Sequence, residues 1–208
     1  MNAIRITPVA MLLAVTMFTA CNNESSKPEE NAGADTTAKK DTGMQMPMPD
    51  TSSVPMVKAA TVTLTGTYTD TTLNGTASFE TLPDGKVKMT LEITVPSKAG
   101  KEVAVHLHEH GDCADNGKAS HGHWNPTNSQ HGKWGSASFH VGDIGNVKLN
   151  SKGKGSTTLT TDLWTLGGKP DKNILGKAMI VHGGTDDYTT QPTGNAGSRI
   201  GCGVIQGK

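Results

Sequence analysis

The chain reads as all-β, a sandwich or barrel of about eight antiparallel strands with two long functional loops. Three observations point there. Apolar and polar residues alternate with period two in one short run after another. Glycine-rich turns separate the runs, and 25 of the 208 residues are glycine. No stretch of any length shows the 3.6-residue period of an amphipathic helix.

The first strand is expected over 61–68, where Thr61, Val62, Thr63, Leu64 and Thr65 combine alternation with β-branched side chains. A second short run, 75–80, ends before the turn signal Leu82-Pro83-Asp84-Gly85. Beyond that turn Val87, Met89, Leu91, Ile93 and Val95 alternate with polar partners, giving one dry and one wet face. Over 101–108, Val103, Val105 and Leu107 lie on one side and His106 and His108 on the other. Period two therefore aims both imidazoles at one point. Runs 146–149 and 156–161 flank the turn Ser151-Lys152-Gly153-Lys154-Gly155 as a hairpin, and 177–181 and 200–205 complete the set. The two long loops are 109–137 and 183–198. Long loops in a compact domain are usually functional.

The N-terminus lies outside this domain. Residues 1–5 carry one positive charge, and 6–20 are almost wholly apolar and small. This is the form of an export signal, and it is too short to span a bilayer comfortably. Phe18-Thr19-Ala20-Cys21 resembles a bacterial lipobox, in which the cysteine becomes the lipidated first residue. The resemblance implies a signal peptide over 1–21, a lipid anchor on Cys21, and an exported protein on the periplasmic face of a membrane or the cell surface. Residues 22–59 are rich in Ser, Thr, Pro, Glu, Lys and Asp and read as a disordered tether that buries too little to order itself. Within it, Met44, Met46 and Met48 are either a chance cluster or a Cu(I)-capturing patch, since thioethers favour Cu(I). The folded domain is expected over 60–208. The formal net charge is zero, which argues against a nucleic-acid partner. With Cys21 set aside, Cys113 and Cys202 remain, an even pair that suits a disulfide outside the cytoplasm. Two unpaired buried thiols are the alternative.

Six of the eight histidines, His106, His108, His123, His131, His140 and His182, are spaced with Asp143 like the ligands of two adjacent metal ions. Neutral imidazole binds zinc and copper ions without a charge penalty near pH 7. Any one of these residues alone would be an ordinary polar side chain; the set is hard to explain without metal.

The segments 106–113, 123–126, 140–146, 181–182 and 194–205 together resemble the copper/zinc superoxide dismutase family, from about residue 60 to the C-terminus. The resemblance implies a Greek-key β-sandwich or barrel. It also implies disproportionation of superoxide to dioxygen and hydrogen peroxide by Cu(II)/Cu(I) cycling beside a zinc site, with one copper and one zinc per subunit. His106, His108, His123 and His182 resemble the copper ligands. His123, His131, His140 and Asp143 resemble the zinc ligands, with His123 bridging the two. Asp186 resembles the carboxylate that joins a copper histidine to a zinc histidine, here His106 and His131; its neighbour Asp187 is the alternative. Arg199 resembles the guanidinium that receives the superoxide anion, and Thr193 the threonine that narrows its channel. Cys113 and Cys202 match the family's intrasubunit disulfide.

Some positions depart from the pattern. Pro192 stands where the family carries a lysine that steers substrate, and Ala104 where glycine is common. His110 and His121 fall outside the six ligands and are either surface residues or accessory metal-capturing groups. A metal buffer on the same fold, or an adhesive β-sandwich, are competing functions. The intact ligand sets and Arg199 favour the enzyme over both. The sequence leaves monomer and homodimer open.

Overall fold

The computed structural model describes residues 53–208. The expected signal peptide, Cys21 and the Met44–Met48 cluster lie outside the described residues. Nine strands follow in order: β1 (Ala59–Gly66), β2 (Asn74–Thr81), β3 (Val87–Thr94), β4 (Glu102–His108), β5 (Gly145–Lys148), β6 (Lys154–Thr161), β7 (Ala178–His182), β8 (Arg199–Val204) and the short β9 (Gln206–Gly207). Among the described residues the only helical pieces are 3-10 turns at Pro96–Lys98 and Lys118–Ser120.

Every ladder is antiparallel, in the spatial order β5-β4-β7-β8-β1-β2-β3-β6, and β9 pairs with β1. The β5–β6 turn returns the chain, with Asn150 N–H donating to Lys154 O at 2.8 Å. The two ends of the sheet thus meet in a nearly closed eight-stranded barrel, the Greek-key arrangement expected. Closure removes sheet edges that would otherwise invite pairing between chains.

The alternation read from the sequence sets the core. Val62 and Leu64 of β1, Ala77 and Phe79 of β2, and Val87, Met89, Leu91 and Ile93 of β3 point inward and are buried. β4 differs, because both of its faces are covered. Val103, Val105 and Leu107 face the barrel interior, while His106 and His108 are fully buried under the loops on the other side. A third long connection, residues 162–177, plugs one end of the barrel with Trp164, Leu166 and Ile174. Trp164 N–H donates to Val141 O at 2.9 Å and meets Phe79 edge-on at 6.3 Å.

Two boundaries differ from expectation. The first functional loop runs on to β5, so His140 and Asp143 belong to it. Order also begins before residue 60. Val54 exchanges backbone hydrogen bonds with Gly168, and Val57 N–H donates to Leu166 O at 2.8 Å. Val57, at the end of an otherwise polar stretch, packs against the core, while Val54 stays exposed and is held by its backbone alone.

Cys113, in the first long loop, is bonded to Cys202 in β8 across 89 residues. Closing a loop of that length contributes about 4–5 kcal/mol in the chain-entropy account. A Cys113→Ser/Cys202→Ser variant should therefore melt roughly 10–20 °C lower in calorimetry. An unchanged melting temperature would mean that the loop's other contacts suffice.

Candidate metal centre

β4 and β7 lie side by side, with Val105 opposite Val181, and this register puts His106, His108 and His182 on one face of the sheet, the side away from the barrel interior. The first loop supplies His123, which bridges back to His108 as an isolated β-pair. One ring nitrogen from each of these four buried histidines falls within 4.8 Å of the others. His123, His131, His140 and Asp143 converge in the same way, so the two clusters share His123.

The hydrogen bonds explain which nitrogen each ring turns inward. His108 uses Nδ1 on the carbonyl of His121, at 2.9 Å, and leaves Nε2 facing Nε2 of His182 at 3.4 Å. His182 in turn uses Nδ1 on the carbonyl of Gly197 at 3.2 Å. His106 spends Nε2 on Asp186 at 2.9 Å, which leaves Nδ1 for the cluster. The Nδ1 atom of His123 lies 2.8 Å from Asp143 Oδ1, and that of His140 3.3 Å. His131 Nδ1 lies 2.9 Å from Asp143 Oδ2 but makes no hydrogen bond with it, as two atoms aimed at a common ion would not.

These residues fit two metal ions. His106 Nδ1, His123 Nε2 and His131 Nδ1 are buried without hydrogen-bond partners. Native proteins rarely leave such atoms orphaned, and leaving one costs about 1–3 kcal/mol. Each orphan is the atom its ring presents to a cluster. The donor chemistry agrees, because four imidazoles suit tetragonal Cu(II), and three imidazoles with a carboxylate suit tetrahedral zinc.

Asp186 joins the two clusters. Its Oδ2 accepts from His106 at 2.9 Å and its Oδ1 is 2.9 Å from His131 Nε2. Asp187 instead organises its own loop through Thr189 and Thr190. Sequence reasoning overlooked the residues that hold Asp186 and His131 in place. Asn146 clamps the backbone of Asp186 from both sides, at 2.8 and 2.9 Å. Gln191 does the same for His131, at 2.9 and 3.0 Å. A Cβ at Gly194 would overlap the Asp186 carboxylate and the His131 ring. Only the family-like motif around Asn146 and Gly194 could have flagged these positions.

A pocket of about 100 Å³ opens over the four-histidine cluster, lined by His108, His123, His182, Thr193, Ala196, Gly197 and Arg199. The Arg199 guanidinium is fixed at its mouth by the carbonyls of Gly117 and His121 and the hydroxyl of Ser120. Pro192, following a cis Gln191-Pro192 bond, is outside this lining, whereas Thr193 is within it.

The electrostatics follow burial first. Desolvation pushes His123 down to about 4 and His182 to about 3, helped by the neighbouring imidazoles, and it lowers His108 as well. Burial opposes a charge on His131 too, but the flanking carboxylates of Asp143 and Asp186 override it and raise this group to about 9. Both carboxylates are held below the usual range by their histidine partners, against the pull of burial. Metal-free protein should thus show an optimum. Below pH ~6.5 the unfolded chain takes protons that folded His123 and His182 refuse, costing up to about 1.4 kcal/mol per pH unit for each. The stability from His131 is complete below that pH and is lost as pH rises through about 9. Urea midpoints of the metal-free chain should peak near pH ~6.5. A steady rise from pH ~5 to ~9 would contradict this assignment.

The sequence model of the family described as copper/zinc superoxide dismutase matches residues 73–205. The chain is 38% identical over 157 residues to the copper/zinc superoxide dismutase of Yarrowia lipolytica, covering 72% of this chain and 97% of that one. It is 40% identical over 110 residues to superoxide dismutase [Cu-Zn] 2 of Aquifex aeolicus, where the match spans 50% of this chain and 64% of the relative. The crystal structure of the clock protein EA4 superposes with a TM-score of 0.64 at 33% identity, over 74% of this chain and 97% of that chain. The chain belongs to the copper/zinc superoxide dismutase family, oxidoreductases with one copper and one zinc ion per subunit.

Proposed function

We propose that this superoxide dismutase works outside the cytoplasm, with copper on His106, His108, His123 and His182 and zinc on His123, His131, His140 and Asp143. The orphaned buried nitrogens carry the assignment. Copper supplies one-electron chemistry between Cu(II) and Cu(I), and two superoxide anions with two protons become dioxygen and hydrogen peroxide. The chain's own residues do the rest. Arg199 presents a fixed positive charge to the arriving anion, without reorganisation at the moment of reaction. Thr193 narrows the pocket so that only a small anion reaches the cluster. His123 Nε2 holds a proton between the two half-reactions, while its Nδ1, 2.8 Å from Asp143 Oδ1, belongs with that carboxylate to the zinc cluster, which keeps the ring in place. Asp186 orients His106 and His131, which makes it a positioning residue.

Reconstitution tests the metal roles. Protein loaded with copper, with zinc, or with both should dismute superoxide only when copper is present. Tight binding of both ions without turnover would favour a metal buffer. The N-terminal pattern and the disulfide support export and a lipid on Cys21. Cys21→Ser should move the protein from the membrane fraction to the soluble one; a soluble wild-type protein would overturn the anchor.

A further inference from the structure

The two histidines left over from the metal centre are paired with each other. The antiparallel pairing that joins His108 to His123 continues outward for one more rung. Glu109 N–H donates to Gly122 O at 3.1 Å, and His110 N–H to Ser120 O at 3.2 Å. His110 and His121 therefore face each other across two chain segments, with ring centroids 4.4 Å apart. The Glu109 carboxylate joins them, and one ligand atom from each of the three lies within 4.8 Å of the others. All three residues are exposed. Lys177 feels the Glu109 charge but donates to its carbonyl, at 3.0 Å, and among the described residues the Glu109 carboxylate has no ion pair within 4 Å.

We infer that Glu109, His110 and His121 form a third metal site, open to solvent, that takes a divalent first-row cation with Cu(II) preferred. Two imidazoles and a carboxylate on one side of an ion leave positions for water, and at such nitrogen-rich sites Cu(II) binds more tightly than its neighbours. The paired backbone of the two loop segments sets both Cα positions before any ion arrives, which lowers the ordering that opposes binding. The site also touches the buried centre through one atom. The carbonyl of His121 accepts from His108 Nδ1 and from the Arg199 guanidinium. His110 lies two residues beyond His108, just past the end of β4. An ion bound here sits beside the entrance guarded by Arg199, where it raises the local supply of copper to the four-histidine cluster.

The inference stands on the metal-centre assignment above, and the test separates the two. Mature full-length protein with copper and zinc already in the buried sites is titrated with Cu(II). No reductant is present, so the Met44–Met48 thioethers stay silent. One further equivalent should bind, with a second nitrogen-coordinated Cu(II) signal in electron paramagnetic resonance. His110→Asn/His121→Asn should weaken that step at least about tenfold, the low end of the roughly 10–100-fold range for losing an outer partner. Asn tolerates the positive φ of 61° at His121, and the backbone carbonyl stays in place. Glu109→Gln provides a second, milder variant that should weaken the same step. Saturation at two ions, or a third ion held equally well by the variants, would overturn the site. Copper and zinc content of the buried sites, measured before titration, reports on the metal-centre assignment independently.

Discussion

His108→Ala should reduce superoxide dismutation to the background of free copper. His108 is fully buried and contributes Nε2 to the four-histidine cluster, while its Nδ1 holds the ring against the His121 carbonyl. Outer partners of metal ligands are worth about 10–100-fold in affinity or activity, so removing a ligand should exceed that range. The zinc cluster does not include His108. The variant should therefore keep one equivalent of zinc and a cooperative melt, which separates lost catalysis from lost folding. Activity within a few-fold of wild type would remove His108 from the copper site.

Stripping both ions should be the largest single blow to stability. At a free metal concentration 1,000 times its dissociation constant, each ion contributes about 4 kcal/mol. Two ions together raise the melting temperature of a domain this size by roughly 15–30 °C. The metal-free centre also leaves its orphaned nitrogens buried, so nothing local offsets the loss. Calorimetry before and after chelation reads this directly, and re-adding zinc alone should restore part of the shift. An adhesive sandwich that needed no metal would melt at the same temperature in both forms.

Much of the barrel was legible because the signal is local. The alternation in β3 and β4 names the inward residues almost one by one, and the core contains Val87, Met89, Leu91, Ile93, Val103, Val105 and Leu107. Strand starts were less legible. β1 begins at Ala59 and β6 at Lys154, ahead of the expected runs, because backbone ladders extend through small and polar residues that carry no periodicity. The plug of Trp164, Leu166 and Ile174 was missed for the same reason, since a loop folded over a barrel end has no period. In the metal centre, ligand types and order pointed to the two clusters. The choice between Asp186 and Asp187 could not be made from periodicity, because both lie in a loop where side-chain direction is set by tertiary contacts. The same holds for Asn146 and Gln191, whose amides grip backbone atoms far away in sequence.

Asp186 grips one histidine from each cluster, and His123 belongs to both. The two binding equilibria are therefore one linked system. Whatever factor zinc adds to the affinity for copper, copper must add to the affinity for zinc. Where that factor exceeds one, scarcity of either element loosens the protein's hold on the other, and the fraction of fully armed molecules falls more steeply than the supply of either metal alone.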